Sequence, residues 1–195
     1  MNQRPYHHGN LRSELLAAAE RCLRERGAQQ LSLRELARDV GVSHAAPRRH
    51  FPDRQALLDA LAENGFQRLG TELREACRRA EPQFEAQLSA TAAAYIVFAT
   101  RDPALLELMY AGKHRQDANE LRHASERAMS VIHELIRQGQ ALGALEPGEP
   151  DRAGLVLFAI VQGIASLVTA GIVHPDQVDE LLTDAITRFL RGDRL

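Results

Sequence analysis

Ser32-Leu-Arg-Glu-Leu-Ala-Arg-Asp-Val-Gly41-Val-Ser43-His-Ala-Ala-Pro47-Arg-Arg-His-Phe51 is the stretch whose reading decides the fold. Ser32 followed three residues later by Glu35 has the form of a capping box, so a helix starts here. Leu33, Leu36, Ala37 and Val40 recur at the spacing of one buried helix face. Gly41 supplies a left-handed residue to end that helix, and Val42 plugs the turn. Ser43 then caps a second, basic helix of about two turns, carrying His44, Arg48, Arg49 and His50, with Phe51 turned into the core. Pro47 falls within the first turn of that helix, where backbone N–H groups are mostly unpaired, so its cost is expected to be small. Two short helices joined at a glycine form a helix-turn-helix, whose second helix enters the DNA major groove.

The surrounding composition agrees. Residues 1–55 hold ten arginines against six acids, a surplus of four positive charges. The whole chain of 195 residues has a net charge of −2, so residues 56–195 carry −6. A basic head on an acidic body points to a polyanionic partner for the head alone. Ordinary apolar and charged fractions give a packed core and exclude global disorder. Cys22 and Cys77 sit at apolar helix positions without metal-ligand spacing and read as reduced core residues. No signal-peptide pattern and no apolar run able to span a bilayer is evident, so a soluble cytoplasmic protein without a membrane partner is expected.

Taken in order, residues 1–9 read as a polar arm that can follow a DNA backbone or minor groove; its pair His7-His8 lacks further ligands. A helix capped by Asn10 runs to Gly27 with Leu11, Leu15, Ala18, Ala19, Cys22 and Leu23 inside. Asp53 caps a long helix whose apolar positions run from Leu57 to Ala76, long enough to tie the head to the body. Pro82 opens another helix to Arg101, and Asp102-Pro103 caps a short one to Gly112. A long helix follows from about Gln116 to Leu142, then a loop from Gly143 to Pro150. Asp151 is expected to cap a helix that is apolar nearly all round from Leu155 to Ala170, so it must be covered by the core or by another subunit. The last helix runs from Asp176 to Arg191. No strand pattern appears; the expected fold is all-α with about nine helices, a helix-turn-helix head over 1–55 and a body over 56–195.

Four segments, agreeing in order and spacing, resemble TetR-type transcriptional regulators: Tyr6-His-His-Gly-Asn-Leu11, Leu33-Arg-Glu-Leu-Ala37, Gly41-Val-Ser-His-Ala-Ala-Pro47 and Arg49-His-Phe-Pro-Asp-Arg-Gln-Ala-Leu-Leu58. The body is similar to the subfamily with a WHG-type C-terminal domain through Tyr95-Ile-Val-Phe-Ala-Thr-Arg-Asp-Pro-Ala-Leu105, Leu108-Met-Tyr110 and Phe158-Ala-Ile-Val-Gln-Gly163. In that last segment Phe158 and Gln162 replace the signature Trp and His, and only Gly163 remains. The resemblance implies a homodimer reading a pseudo-palindromic double-stranded DNA operator, and a small-molecule effector that changes the spacing of the heads. It also implies that Arg34, Ser43, His44, Ala45, Arg48, His50 and Arg54 face DNA. Arg48 stands where the family usually has tyrosine, and Arg54 where lysine is common; arginine at either place can neutralise a phosphate.

From the residues themselves, base reading falls to His44 and the surface around Ala45, with Arg48 or Arg49 reaching guanine or phosphate. Arg54, at the start of its helix, opposes the helix dipole unless an anion is near, which favours a phosphate contact for it. Effector candidates are Tyr95, Phe98, Met109, Tyr110, Met129, His133, Phe158 and Gln162; an amide such as Gln162 inside an apolar helix wants a buried partner. His114, His123 and His133 do not share a helical turn, and neither a metal nor a cofactor is expected. No phosphate loop, nucleophile elbow, paired-histidine zinc motif or supported acid pair is present, so the chain is not read as an enzyme. The two helices over 151–170 and 176–191 are expected to form a four-helix dimer interface, with Gly163 at a close helix approach. The rival reading is an all-α dimeric small-molecule-binding protein whose head binds DNA without operator specificity.

Overall fold

A computed structural model describes residues 11–113, 115 and 118–192. Among these residues there are eight α-helices, three short 3-10 turns and no strand. The N-terminal arm, the Asn10 cap and His114 lie outside the described residues. The helices are α1 (Leu11–Arg26), α2 (Leu33–Asp39), α3 (Arg54–Arg79), α4 (Phe84–Arg101), α5 (Pro103–Lys113), α6 (Asn119–Ala141), α7 (Pro150–Thr169) and α8 (Val178–Arg191). The chain forms two compact units, one of residues up to 65 with 104–122, the other of 66–103 with 123 onward. One of the crossings between them lies inside α3.

In the first unit, α1 buries Leu11, Leu15, Ala18, Ala19, Cys22 and Leu23, the stripe that the 3.6-residue period selects. Ser32 Oγ accepts the Glu35 N–H at 3.2 Å and starts α2. Gly41 ends it at φ 73°, with Val42 N–H bonding Ala37 O at 2.9 Å and Gly41 N–H bonding Arg38 O at 3.1 Å. This is a Schellman closure, which needs the left-handed conformation glycine adopts without a Cβ penalty. Asp53 caps α3 as expected, its Oδ1 accepting the Ala56 N–H at 2.8 Å. Deeper in the unit, Arg115 grips Asp59 through both carboxylate oxygens at 2.7 and 2.9 Å.

The ninth expected helix is absent. After Ser43 the chain makes a turn, and only Pro47–Arg49 is helical, as a single 3-10 turn. The hydrogen bonds give the reason. Ala46 N–H reaches Ser43 O, three residues back, and Pro47 has no N–H with which to continue an i to i−4 ladder from Ser43. The pattern restarts beyond the proline, where Pro47 O accepts from both His50 and Phe51 at 3.0 and 2.9 Å. Pro47 therefore costs the whole α-helical register, not the small penalty expected from its place in the first turn. Its ring is buried, and the short turn packs on α1 and α2.

In the second unit, α4 is the central element: Leu88, Ala92, Tyr95, Ile96, Phe98 and Ala99 are buried, and α7 and α8 pack on it. α3 and α6 approach closely at Gly70, where an added Cβ would lie 2.8 Å from Ala128 Cα. Three helix starts differ from expectation. α8 begins at Val178, after the 3-10 turn Pro175–Gln177, instead of at Asp176. α4 begins at Phe84 after Gln83. α7 begins with Glu149 as N-cap and Pro150 in the first turn, so Asp151 is not the cap; proline there gives up an N–H that is unpaired anyway. By length and composition α7 is also apolar enough to cross a membrane, contrary to the sequence expectation, with mean hydropathy 1.7 over an 18-residue stretch of its 20 residues. Only 28 % of that stretch is buried within the chain. The charged Asp151 and Arg152 sit in its first turn.

Candidate nucleic-acid interface

The loop between α2 and α3 presents a compact polar surface. Ser43, His44, Ala45, Arg48 and Arg49 are exposed, as is Arg34 in the first turn of α2, while His50 is half-buried. Pro47 and Phe51 anchor the segment from beneath, so the 3-10 turn turns Arg48 and Arg49 outward between two buried residues. Arg38 is largely exposed too but stands 3.8 Å from Asp39, which offsets part of its charge.

Arg12, on the exposed side of α1, was missed by the sequence reading: its guanidinium lies 5.4 Å over the centre of the Phe51 ring. The available signal was an arginine on the polar side of α1, and that does not say which ring it will cover. The stack ties α1 to the end of that exposed segment.

Arg54, half-buried, is held by two backbone carbonyls. Its Nε donates to Leu31 O at 2.9 Å and its Nη2 to Ala28 O at 2.5 Å. Those carbonyls belong to the 3-10 turn Ala28–Gln30 and its cap. The charge that opposes the α3 dipole is answered by these carbonyl oxygens, so no phosphate is needed to explain it. Arg54 thus clamps the α1–α2 connection to the start of α3.

The eight effector candidates are only partly gathered. In the second unit, Tyr95 Oη donates to Gln162 Oε1 at 2.5 Å, and the Tyr95 and Phe158 rings meet edge to face at 5.7 Å and 76°. Gln162 thereby finds the buried partner its setting requires. Phe98 is fully buried with Arg101 5.3 Å over its ring, and Arg101 also donates to Glu72 at 2.9 Å and to the buried Asp102 at 3.2 Å. Hydrogen bonds to both carboxylates hold the Arg101 pKa above its usual value. Met129 and His133 are half-buried on α6. Met109 and Tyr110 belong to the first unit. There Met109 packs against Gly65, and Lys113 Nζ lies 5.0 Å over the Tyr110 ring, with burial pushing the lysine pKa down.

Two cavities in the second unit, of 790 and 550 Å³, are lined by none of the eight candidates. No group of three or more His, Cys, Asp or Glu able to hold a metal occurs among the described residues.

Residues 15–61 match the family described as bacterial regulatory proteins, tetR family, and residues 88–189 match the tetracyclin repressor-like C-terminal domain. The chain belongs to the TetR family of transcriptional regulators. A nucleoid occlusion factor, SlmA from Pectobacterium carotovorum subsp. carotovorum, is 30% identical over 134 residues, covering 66% of this chain and 67% of that protein. Among solved structures, a protein of unknown function from Rhodococcus sp. RHA1 has a TM-score of 0.90 at 46% identity, covering 97% of this chain and 98% of that one. A putative TetR-family regulator from Rhodococcus sp. shares the fold at TM-score 0.73 and 20% identity, covering 93% of this chain and 99% of that one. The family is one of DNA-binding regulators, not of enzymes, and the exposed segment between α2 and α3 belongs to its DNA-binding head.

Proposed function

We propose that this TetR-family chain is a ligand-responsive regulator, a dimeric repressor released from a pseudo-palindromic operator by a small-molecule effector. The observation that carries the reading is the exposed, basic segment from Ser43 to His50, seated on the buried Pro47 and Phe51. His44 and Ala45 take the base edges, while Arg34, Arg48, Arg49 and His50 take phosphates or guanine. Arg54 holds the segment in place without touching DNA. Dimerisation falls to α7 and α8, whose apolar surface the chain itself leaves uncovered. The layer of Tyr95, Phe158 and Gln162 between α4 and α7 is the place for the effector to act, and a WHG-type body agrees with the segments that form it. Such a regulator works beside the chromosome, in the bacterial cytoplasm.

One observation supports the rival reading, in which the head binds DNA without operator specificity. The element that should lie in the major groove is a 3-10 turn instead of a helix, and Arg48 occupies its exposed part. Selection of random duplexes by the purified protein at near-physiological salt separates the two. Enrichment of a pseudo-palindrome supports an operator-reading dimer, and its half-site spacing gives the separation of the heads. Binding with no enriched sequence supports phosphate neutralisation alone.

A further inference from the structure

Where α6 meets the part of α3 that belongs to the second unit, the 550 Å³ cavity forms a cleft with an apolar floor and a charged rim. A close helix approach sets the floor. Gly70 packs on Ala128 so tightly that an added Cβ would lie 2.8 Å from its Cα, and Phe66, Ala124 and Ala128 are buried around that point. On the rim stand Thr71, Arg74, Arg127 and Ser130, all exposed. Helical spacing explains the pairing of floor and rim: Phe66, Gly70 and Arg74 follow one another at four-residue intervals on α3, as Ala124 and Ala128 do on α6.

The hydrogen-bonding capacity of the rim is selective. Thr71 Oγ1 donates to Gln67 O and Ser130 Oγ to Arg127 O, each at 2.9 Å, so both hydroxyl protons are used within their own helices. The guanidinium groups remain. Arg74 is laid across the bare Gly70, its Nη1 3.1 Å from where that Cβ would be, and spends one N–H on Arg127 O at 3.4 Å. Most of its fork is still open. The neighbouring acids of α3 are engaged elsewhere, Glu72 with Arg101 at 2.9 Å and Glu75 with Arg79 at 2.8 Å. Glu126, beside Arg127 in the chain, is exposed and does not line the cleft. Among the described residues, no carboxylate lies within ion-pair distance of Arg74 or Arg127. Two like charges on one rim repel, and an anion between them relieves that repulsion. Charged donors above an apolar floor match a ligand with one anionic end and one apolar end. A planar carboxylate suits the guanidinium fork, whereas a fully hydrated ion has nothing to gain from the floor.

We propose that this cleft between α3 and α6 binds a small organic carboxylate, its anionic end held by Arg74 and Arg127 and its compact apolar body resting on Phe66, Ala124 and Ala128. The site lies apart from the layer of Tyr95, Phe158 and Gln162, and it does not depend on the regulator reading above.

Three probes added to the full-length protein separate the parts of this assignment. Benzoate has the charge and a flat apolar body, benzamide the same body without the charge, and inorganic phosphate the charge without the body. The readout is the NMR signals of the Ala124 and Ala128 methyl groups and of the arginine Nε–H groups. Benzoate is expected to shift them saturably, with benzamide and phosphate each weaker by roughly tenfold or more. R74Q and R127Q should each weaken benzoate by about tenfold, and T71W, which fills the cleft from its exposed rim, should abolish binding. Circular dichroism of each variant is expected to match the parent, since all three side chains are exposed. Equal binding of phosphate would make the rim a general anion patch and overturn the assignment, and equal binding of benzamide would reduce the cleft to an apolar hole. No shift with benzoate, butyrate or octanoate at millimolar concentration would overturn it outright, as would benzoate binding that R74Q, R127Q and T71W leave unchanged. None of these readouts involves DNA, so the assignment and the regulator reading can fail separately.

Discussion

Two surfaces of this protein are left open to solvent, and they are open in opposite ways. The loop between α2 and α3 exposes arginines, histidines and a serine, whereas α7 exposes Leu155, Val156 and Leu167 around a bare glycine. Charged groups remain well hydrated while they wait, so a polar DNA-reading surface can be covered and uncovered repeatedly at little cost. Apolar surface left in water is unfavourable at about 25 cal/mol per Å², so the α7 face favours a lasting partner. One surface suits a reversible, salt-sensitive contact, and the other a permanent one.

The sharpest way to break this contrast is at Gly163. Replacing it with Phe is expected to leave the fold of each chain intact, since the space is open, and to weaken self-association by 100-fold or more. Analytical ultracentrifugation checks it, and undiminished association would place the contact elsewhere on the body. Next in size is R48A/R49A. Removing two phosphate-reaching charges should weaken DNA binding at physiological salt by roughly ten- to a hundredfold and lower the salt slope by about two charges' worth. Titrations at four salt concentrations measure that slope, and an unchanged one would deny both residues a phosphate.

Arg54→Ala sharpens the contrast from within the head. Loss of two charge-assisted bonds to carbonyls should lower stability by about 1–3 kcal/mol, discounted for partial exposure. Under conditions where the variant is fully folded, the salt slope should equal that of the parent. A smaller slope would return Arg54 to the phosphate contacts. Tyr95→Phe is expected to cost about 1 kcal/mol in chemical denaturation, because Gln162 Oε1 loses its donor. The smallest effect is chemical. Burial raises the Cys22 thiol pKa above its usual 9.0, with Arg26 opposing the shift, so less thiolate is present at any pH below it. Alkylation near pH 8 should label the half-buried Cys77 first, and equal rates would mean that α1 opens readily.

The fold was legible wherever one helix signals its own face. The buried stripe of α1, the Ser32 cap, the glycine closure at Gly41 and the Asp53 cap each follow from residues three to five apart. Legibility failed at Pro47, where counting positions from Ser43 underestimated the loss of the N–H that would have carried the helix forward. It failed again at Arg54, whose partners lie 23 and 26 residues earlier in the chain, so no local pattern could name them. Of the effector candidates, Tyr95, Phe158 and Gln162 were brought together because α4 and α7 pack on each other, a fact of tertiary structure. For α7 itself the sequence posed the right alternatives, core or subunit interface, and the uncovered face now favours the second.

The clamp made by Arg54 also bears on protein engineering. Its partners at Ala28 and Leu31 lie inside the segment that would be moved in a head exchange, and Arg54 is the first residue of α3. A chimaera spliced after Arg54 carries the clamp along intact. One spliced at Pro52 leaves the transplanted loop to be held by whatever the recipient helix happens to offer at that position.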